Sequence, residues 1–370
     1  MKWGKPNKRK RQMSPFNPRH PLICNESPWK NNGNSIWLAS TLSLNRNFEK
    51  FNFPGRLPEE KRTQILELIG PKLQSCDQLK NPQLLQAQEM LPIEKEFLVE
   101  HFLSTQGFHH ASKGDAFVLD ETAEFLATIN LRDHLTLQWI DVREELEATW
   151  EKLIKIEIQL QSANYAFNLK FGFLTADPTM CGTGLIAFIF LHLPALIYTD
   201  SLTEAVGKNK DDTVELTGLQ GDPTELVGDI VVFHNLYTLG VTEESILTSM
   251  RTLATKLVSE EKIVRNRLLH DQTNDVIEIK DKVSRAFGLL LHSYQIEAVE
   301  ALKSLSLLKL GLDLKWIQGT TQQALNELLF NSRRAHLLCH YREDRISQDE
   351  LLHRRAEYIH QALKGIELLV

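Results

Sequence analysis

The sequence predicts an α+β fold: a largely antiparallel sheet flanked by helices, followed by an all-α C-terminal region. Three observations carry this expectation. Short runs with alternation or β-branched and aromatic content cluster in the middle of the chain: "AFVLD" (116–120), "EFLATIN" (124–130), "LTLQW" (135–139), "NYAFNLKFGFL" (164–174) and "DIVVFHN" (229–235). Several are joined by connections too short for a parallel crossover. From Thr242 onward the apolar spacing is helical to the end.

The elements follow in order. Residues 1 to about 34 hold Pro, Asn and basic residues without periodicity and are expected as loop. The first 20 carry seven Lys or Arg, no acid and no apolar run, which excludes a secretory signal. A disordered basic tail over 1–26 is the expectation. A contact with an anionic surface or an export address are the sharper alternatives, and nothing in the sequence chooses between them. Residues 60–106 are expected to be helical; "PEEKRTQILELIGPKL" has acids in its first turn and an apolar face at Ile65, Leu66 and Leu68. A helix is expected from about Val142 to Gln161, with Asp141 and Glu144 as a capping pair and Leu146, Trp150, Leu153, Ile154 and Ile158 on one face.

"LIAFIFLHLPALIY" (185–198) falls short of the ~20 residues of a membrane-spanning helix and contains His192 and Pro194. It is expected to form a buried core helix, with His192 a satisfied core histidine. Thr242 is placed to cap a long helix whose N-terminus Glu243 and Glu244 favour. Further helices are expected over 278–293, 295–314, 320–332 and 347–363, with a domain boundary near 260–275. The division is therefore 1–26, 27–262 and 263–370, and Leu-rich amphipathic helices in the last part suit homodimerisation.

Composition sets outer limits. A chain of 370 residues holds two or three domains. A net charge of −6 argues against a dedicated nucleic-acid binder. Cys24, Cys76, Cys181 and Cys339 are far apart, with no CxxC, so neither a disulfide framework nor a metal site is expected and a reducing cytoplasm fits.

"INLRDHLTLQ" (129–138) places Asp133 and His134 in a short polar turn between two strand-like runs. Such a turn is where site residues often lie, yet Leu131, Arg132 and Thr136 around it are poor catalysts. The bland expectation is that the Asp133 and His134 side chains bind nearby backbone.

Around this turn the chain resembles the bacterial protein-arginine kinases of the phosphagen (guanidino) kinase superfamily. The resemblance is carried, in order, by "SPWKNNGNSIWLASTLSLNRNFEKFNFPGRL" (27–57), "INLRDHLTLQ", "FGFLTADPTMCGTGL" (171–185), "LHLPAL" (191–196) and "GLQGDPTELVGDIVVFHNLYTLGVTEE" (218–244). It continues through "VSRAFGLLLHS" (283–293), "LGLDL" (310–314), "ALNELL" (324–329) and "HRRAEYI" (353–359), so it covers nearly the whole chain after residue 26. It implies a guanidino-kinase-type catalytic domain over 27–262 and a helical dimerisation and phosphoarginine-receptor-like domain over 263–370.

The implied activity is transfer of the ATP γ-phosphoryl group to an arginine side chain of a protein. Such chemistry gathers arginines around the phosphates, carboxylates to orient and deprotonate the guanidinium, and Mg²⁺ to bridge the phosphates. This chain departs from the family at those positions. Thr41 and Ser43 stand at two phosphate-binding arginines of the first motif, where Arg46 is retained. Thr136, Ile186 and Thr217 stand at three more arginines. Leu131 and Arg132 replace the two glutamates, Asp177 the reactive cysteine, and Asp222 a glutamate; Asn130, Asp133 and His134 survive. In the C-terminal Arg-Asp-x-x-Arg-Ala motif the leading pair is Leu351 and Leu352, and Arg355 and Ala356 remain. Arg333, Arg334, Arg342, Arg345, Arg354 and Arg355 form a basic cluster, expected as a solvated helix face or, alternatively, a remnant phosphoarginine receptor.

The expectation is a degenerate member, a pseudokinase without cofactor that acts by binding. The resemblance implies partners in protein quality control, namely a zinc-finger activator and a AAA+ protease, with no role for membrane or nucleic acid. One alternative is an active ATP- and Mg²⁺-dependent enzyme in which Arg46, Arg132 or Lys170 takes over the phosphate contacts. Another is a different ligand, such as a peptide or metabolite, in a cleft that Thr41, Ser43, Thr136 and Thr217 leave polar but uncharged.

Overall fold

A computed structural model describes residues 28–369 apart from 105, 112, 161–163, 210 and 344. The expected basic tail lies outside the described residues.

The N-terminal two thirds are built on one antiparallel sheet. Its strands are β1 (Trp37–Arg46), β2 (Gln83–Gln86), β3 (Ala116–Leu119), β4 (Phe125–Ile129), β5 (Leu135–Asp141), β8 (Leu185–His192), β9 (Val214–Gly218) and β10 (Ile230–Asn235). Between β5 and β8, a two-stranded hairpin pairs β6 (Phe167–Asn168) with β7 (Gly172–Phe173). The sheet order is β2-β3-β4-β5-β1-β8-β10-β9, with every neighbouring pair antiparallel. This is the α+β arrangement that the short connections predict.

Several elements differ from expectation. The stretch 60–106 is not one helical region: α1 (Glu59–Gln74) and α2 (Pro92–His101) are separated by strand β2. Four residues are too few to show a period, and β2 exists because it pairs with β3 at the sheet edge. The apolar run 185–198 is not a helix but strand β8 followed by the short α4 (Pro194–Tyr198). β8 is held between β1 and β10 and covered on both faces, so it shows a continuous apolar run and not an alternating one. Pro194 then opens α4 at a position where its missing N–H costs nothing. Helix α5 (Leu202–Lys208) follows.

Helix α3 (Leu146–Leu160) starts later than Val142. Asp141 does not pair with Glu144; its carboxylate accepts from the N–H groups of Arg143 (2.8 Å) and Glu145 (2.7 Å), while Glu144 takes φ 63° in the turn before the helix. The buried face includes Leu146, Leu153, Ile156 and Leu160, and Ile158 points outward at 55% exposure.

The C-terminal third is helical: α6 (Glu243–His270), α7 (Asn274–His292), α8 (Ala298–Asp313), α9 (Gln322–Asn331), α10 (Arg334–Tyr341) and α11 (Gln348–Ala362). A small ladder of β11 (Ile317–Gln318) with β12 (Glu367–Leu368) joins the loop after α8 to the chain end. Thr242 caps α6, its Oγ1 accepting from Ser245 N at 3.2 Å. Helix α6 runs unbroken through residue 262 and packs on β8 and β10. Gly311 lets α8 approach α7: a Cβ there would lie 2.8 Å from Val283 Cγ1. Buried side chains from sheet and helices form a single contiguous core. Among the described residues no helix is long and apolar enough to cross a membrane.

Candidate functional site

The period of two along each strand decides which side chains meet. On β1, Thr41, Ser43 and Asn45 project to one face, while Leu42, Leu44 and Arg46 project to the other. Register carries the first face across the sheet: Ser43 is opposite Gln138 and Ile186, Asn45 is opposite Thr136, and Thr41 is opposite Phe188. Thr41, Ser43, Thr136 and Ile186, separate in sequence, thus line one cavity with Asn45, Thr128, Gln138 and Phe188. Thr136 Oγ1 donates to Asn45 Oδ1 at 2.8 Å.

The segment after α2 roofs this cavity with Leu103, Ser104, Gln106 and Phe108, and Gln138 Nε2 donates to Phe102 O at 2.8 Å. About 60 Å³ remains, far less than the ~300–1,000 Å³ typical of pockets for small molecules. Thr217 is not in this cavity. It lies two strands away on β9, beside a second cavity of about 400 Å³ floored by Phe188, Phe190 and Val232.

Arg46 is retained but not free. It lies on the far face with α3, 1% exposed, and pairs through Nε with Glu157. Its Nη1 donates to Asn45 O (2.8 Å) and Thr183 O (2.9 Å), and its guanidinium stacks 3.5 Å from the Phe173 ring centroid. The expectation that Arg46 is a retained nucleotide contact is therefore corrected: alternation along β1 points it away from Thr41 and Ser43. Arg62 reaches toward the turn but is engaged with Asp115, Asn130 O and Pro54 O. Lys170 sits on the exposed β6–β7 hairpin over Phe171.

The turn 130–134 keeps its frame. Asp133 Oδ1 accepts from Asn47 Nδ2 (2.6 Å) and Ala176 N (2.7 Å). His134 Nδ1 accepts from Phe48 N (3.0 Å), and Nε2 donates to Asn52 O (2.8 Å). These partners lie in other loops, so the two side chains tie the turn to 47–52 and to 176. Burial raises the Asp133 carboxyl above its usual range and pushes the His134 imidazole down to about 4. His192 is fully buried, as expected, with Nε2 2.7 Å from Ser306 Oγ.

Two of the positions that the resemblance sets at catalytic residues meet. Arg132 pairs with Asp177 across the gap between the turn and the 174–181 loop. Asp177 Oδ1 also accepts from Thr179 N (3.0 Å) and Thr179 Oγ1 (2.7 Å), bonds that hold its carboxyl below the usual range, with Arg132 a smaller cause. Leu131 and Arg132 border a third, open cavity of about 530 Å³. Asp222 is exposed and organises its own turn by accepting from Thr224 N (2.8 Å) and Thr224 Oγ1 (2.7 Å).

The basic cluster at the C-terminal end is not one solvated face. Arg355 is 2% exposed and donates to Ser332 O (2.9 Å) and Ile296 O (2.8 Å), and Ala356 is buried beside it. Arg354 is paired with Glu350 and Glu357. Arg333 turns inward to border the Thr217 cavity, a position sequence reasoning did not assign. Phe188 and Phe190 were missed as well, because the continuous apolar run of β8 gives no sequence signal for which side chains share a face.

Comparison with known proteins agrees with this fold. Two solved structures share it: lombricine kinase (TM-score 0.54, 19% identity, 65% of this chain and 73% of that chain) and the duplicated taurocyamine kinase from Schistosoma mansoni with bound transition-state-analogue components (TM-score 0.55, 21% identity, 70% of this chain and 38% of that chain). The architecture is thus that of the guanidino kinases. Residues 64–264 match the ATP:guanido phosphotransferase C-terminal catalytic domain, and residues 276–368 match the protein-arginine kinase McsB C-terminal domain. The chain is 36% identical over 352 residues to a protein-arginine kinase of Chlamydia pneumoniae (92% of this chain, 94% of that one). It is 31% identical over 350 residues to one of Bacillus cereus (92% and 98%). It belongs to the protein-arginine kinase family.

Proposed function

We propose that this member of the family acts by binding and not by phosphoryl transfer. The reading rests on one observation above others: the cavity lined by Thr41, Ser43, Thr136 and Ile186 has no cationic side chain in its lining among the described residues. The guanidinium groups near it, Arg46, Arg62 and Arg132, are each paired with a carboxylate. Each lost charge-assisted bond to phosphate removes ~1.5–3 kcal/mol, and although such terms do not add simply, several together leave little nucleotide affinity. Loss of a single transition-state clamp costs ~10³-fold or more in rate. The residues present therefore do not fit ATP.

The proposed role is that of a non-catalytic partner in protein quality control, working with a zinc-finger activator and a AAA+ protease, and dimerising through the C-terminal helices. Calorimetric titration with Mg-ATP tests the first part. No heat at millimolar ATP and no ATP-dependent phosphoarginine on a protein substrate are expected. Saturable binding, or phosphoarginine formed by the pure protein, overturns the reading.

A further inference from the structure

We propose that a cavity between helices α9, α10 and α11 binds an alkylguanidinium group, the chemistry of an arginine side chain, through the Glu327 carboxylate and the rings of Tyr358 and His340. The site lies in the helical third of the chain, apart from the Thr41 face, and does not rest on the non-catalytic reading.

Helical spacing assembles the walls. Residues three and four apart share a helix face. Ala324 and Glu327 therefore stand together on α9, and Tyr358 stands with Gln361 and Ala362 on the last turns of α11. His340 joins them from the last turn of α10. About 310 Å³ lies between these helices, at the lower end of the ~300–1,000 Å³ of small-molecule sites. The cavity is open to solvent at the exposed His340, Gln361 and Ala362, while Leu363 in its wall is buried.

Three features of the lining favour a cation. First, Glu327 keeps acceptor capacity to spare. Its Oε1 accepts a long bond of 3.5 Å from Asn331 Nδ2, and the carboxylate has no cationic partner among the described residues. Second, the wall holds neither Lys nor Arg, and Arg355 of the family motif is not part of it. Burial holds the His340 imidazole below its usual range, so at neutral pH this ring is uncharged. Third, α11 ends in the wall, at Gln361 and Ala362. The carbonyl groups of a final helical turn lack helical N–H partners and form the negative end of the helix dipole.

The rings select the kind of cation. Tyr358 and His340 lie with centroids 5.0 Å apart at 67°, so they present two aromatic faces that meet in a corner. Burial and, to a smaller extent, the Glu327 charge raise the Tyr358 phenol above its usual range, which places the carboxylate beside that ring. A guanidinium is flat: it stacks on an aromatic face while the donors along its edge meet a carboxylate in a fork. An ammonium is a compact, strongly hydrated point charge and gains less from this geometry.

The test is a set of calorimetric titrations on the full-length protein. The probes are N-propylguanidinium and the blocked tripeptide acetyl-Gly-Arg-Gly-amide, with the same tripeptide carrying citrulline or lysine in place of arginine. The arginine peptide is expected to bind saturably and raise the melting temperature, the citrulline peptide to do neither, and the lysine peptide to bind about 10-fold more weakly. Glu327→Gln should weaken arginine-peptide binding by about 10- to 100-fold. Ala324→Phe, which fills the cavity and leaves the carboxylate in place, should abolish it. Circular dichroism confirms that each variant is folded. A peptide that binds more tightly than N-propylguanidinium identifies the source as an arginine side chain of another protein, and equal binding identifies a free guanidine; either ranking supports the site. No saturable binding of both guanidinium probes, equal binding of the citrulline or lysine peptide, or unchanged binding in the two folded variants overturns it.

Discussion

Arg132 and Asp177, the positions at which the resemblance implies a catalytic glutamate and a reactive cysteine, pair with each other. Their pairing is a contact between two loops. A cation at 132 opposes the docking of a second guanidinium, and Asp177 offsets that charge within the chain. The side chains are 42% and 30% exposed, so the pair is partly screened by solvent. A double-mutant cycle with Arg132→Ala and Asp177→Ala is expected to give a coupling of only ~0.2–1 kcal/mol, smaller at high salt. Zero coupling at low salt would mean that the two residues are neighbours without an energetic tie. Arg46 is buried: its guanidinium lies against Glu157 on the face away from Thr41 and Ser43.

Elements, rather than single residues, decide what could be read from the chain. The antiparallel strands from 116 to 139 were legible because their alternation and short connections leave few choices, and the cap at Thr242 was legible from residue chemistry alone. The strand at 185–192 was not, because a run buried on both faces has no alternation to separate it from a helix. The engagement of Arg46 and the inward turn of Arg333 were not legible either, because they depend on contacts far apart in sequence. The same holds for Lys309 on α8, which is fully buried and donates to Gln322 Oε1 (2.8 Å) and Asn326 Oδ1 of α9. Burial lowers its pKa from 10.5 to about 7. Between those values the unfolded chain holds a proton that the folded chain lacks, so this group makes stability rise with pH from about 7 to 10.5 and fall on the way back. The urea midpoint of the native protein should therefore rise with pH across this window relative to that of Lys309→Met. Parallel pH profiles for the two proteins would show that Lys309 keeps its proton in the fold.

At the scale of the whole molecule, sheet and helices are joined by a buried polar network as well as by a common core. Arg265 on α6 is its centre. It pairs with Glu261 (2.6 Å) and with Asp313 at the end of α8, and it donates to His192 O (3.1 Å) where β8 ends. Glu261 in turn accepts from Ala195 N (3.0 Å) and Leu196 N (2.9 Å) at the start of α4. Beside it, Asp229 accepts from Ser306 of α8 and from Tyr198 (3.2 Å). Every one of these contacts crosses between the sheet and the helical third or braces a residue that does. Two parts sharing one core and one network should melt together, so calorimetry is expected to show a single cooperative transition. Removing the central cation leaves the Glu261 carboxylate buried without its partner, at 0% exposure. Arg265→Met is therefore expected to cost ~3–5 kcal/mol, a penalty that comes from the stranded charge more than from the lost bond. The companion Arg265→Met/Glu261→Gln should recover part of that loss, because it removes the stranded charge as well. Two separate melting steps in the native protein, or no recovery in the double variant, would mean that the sheet and the helices are independent units and that the network only decorates their boundary.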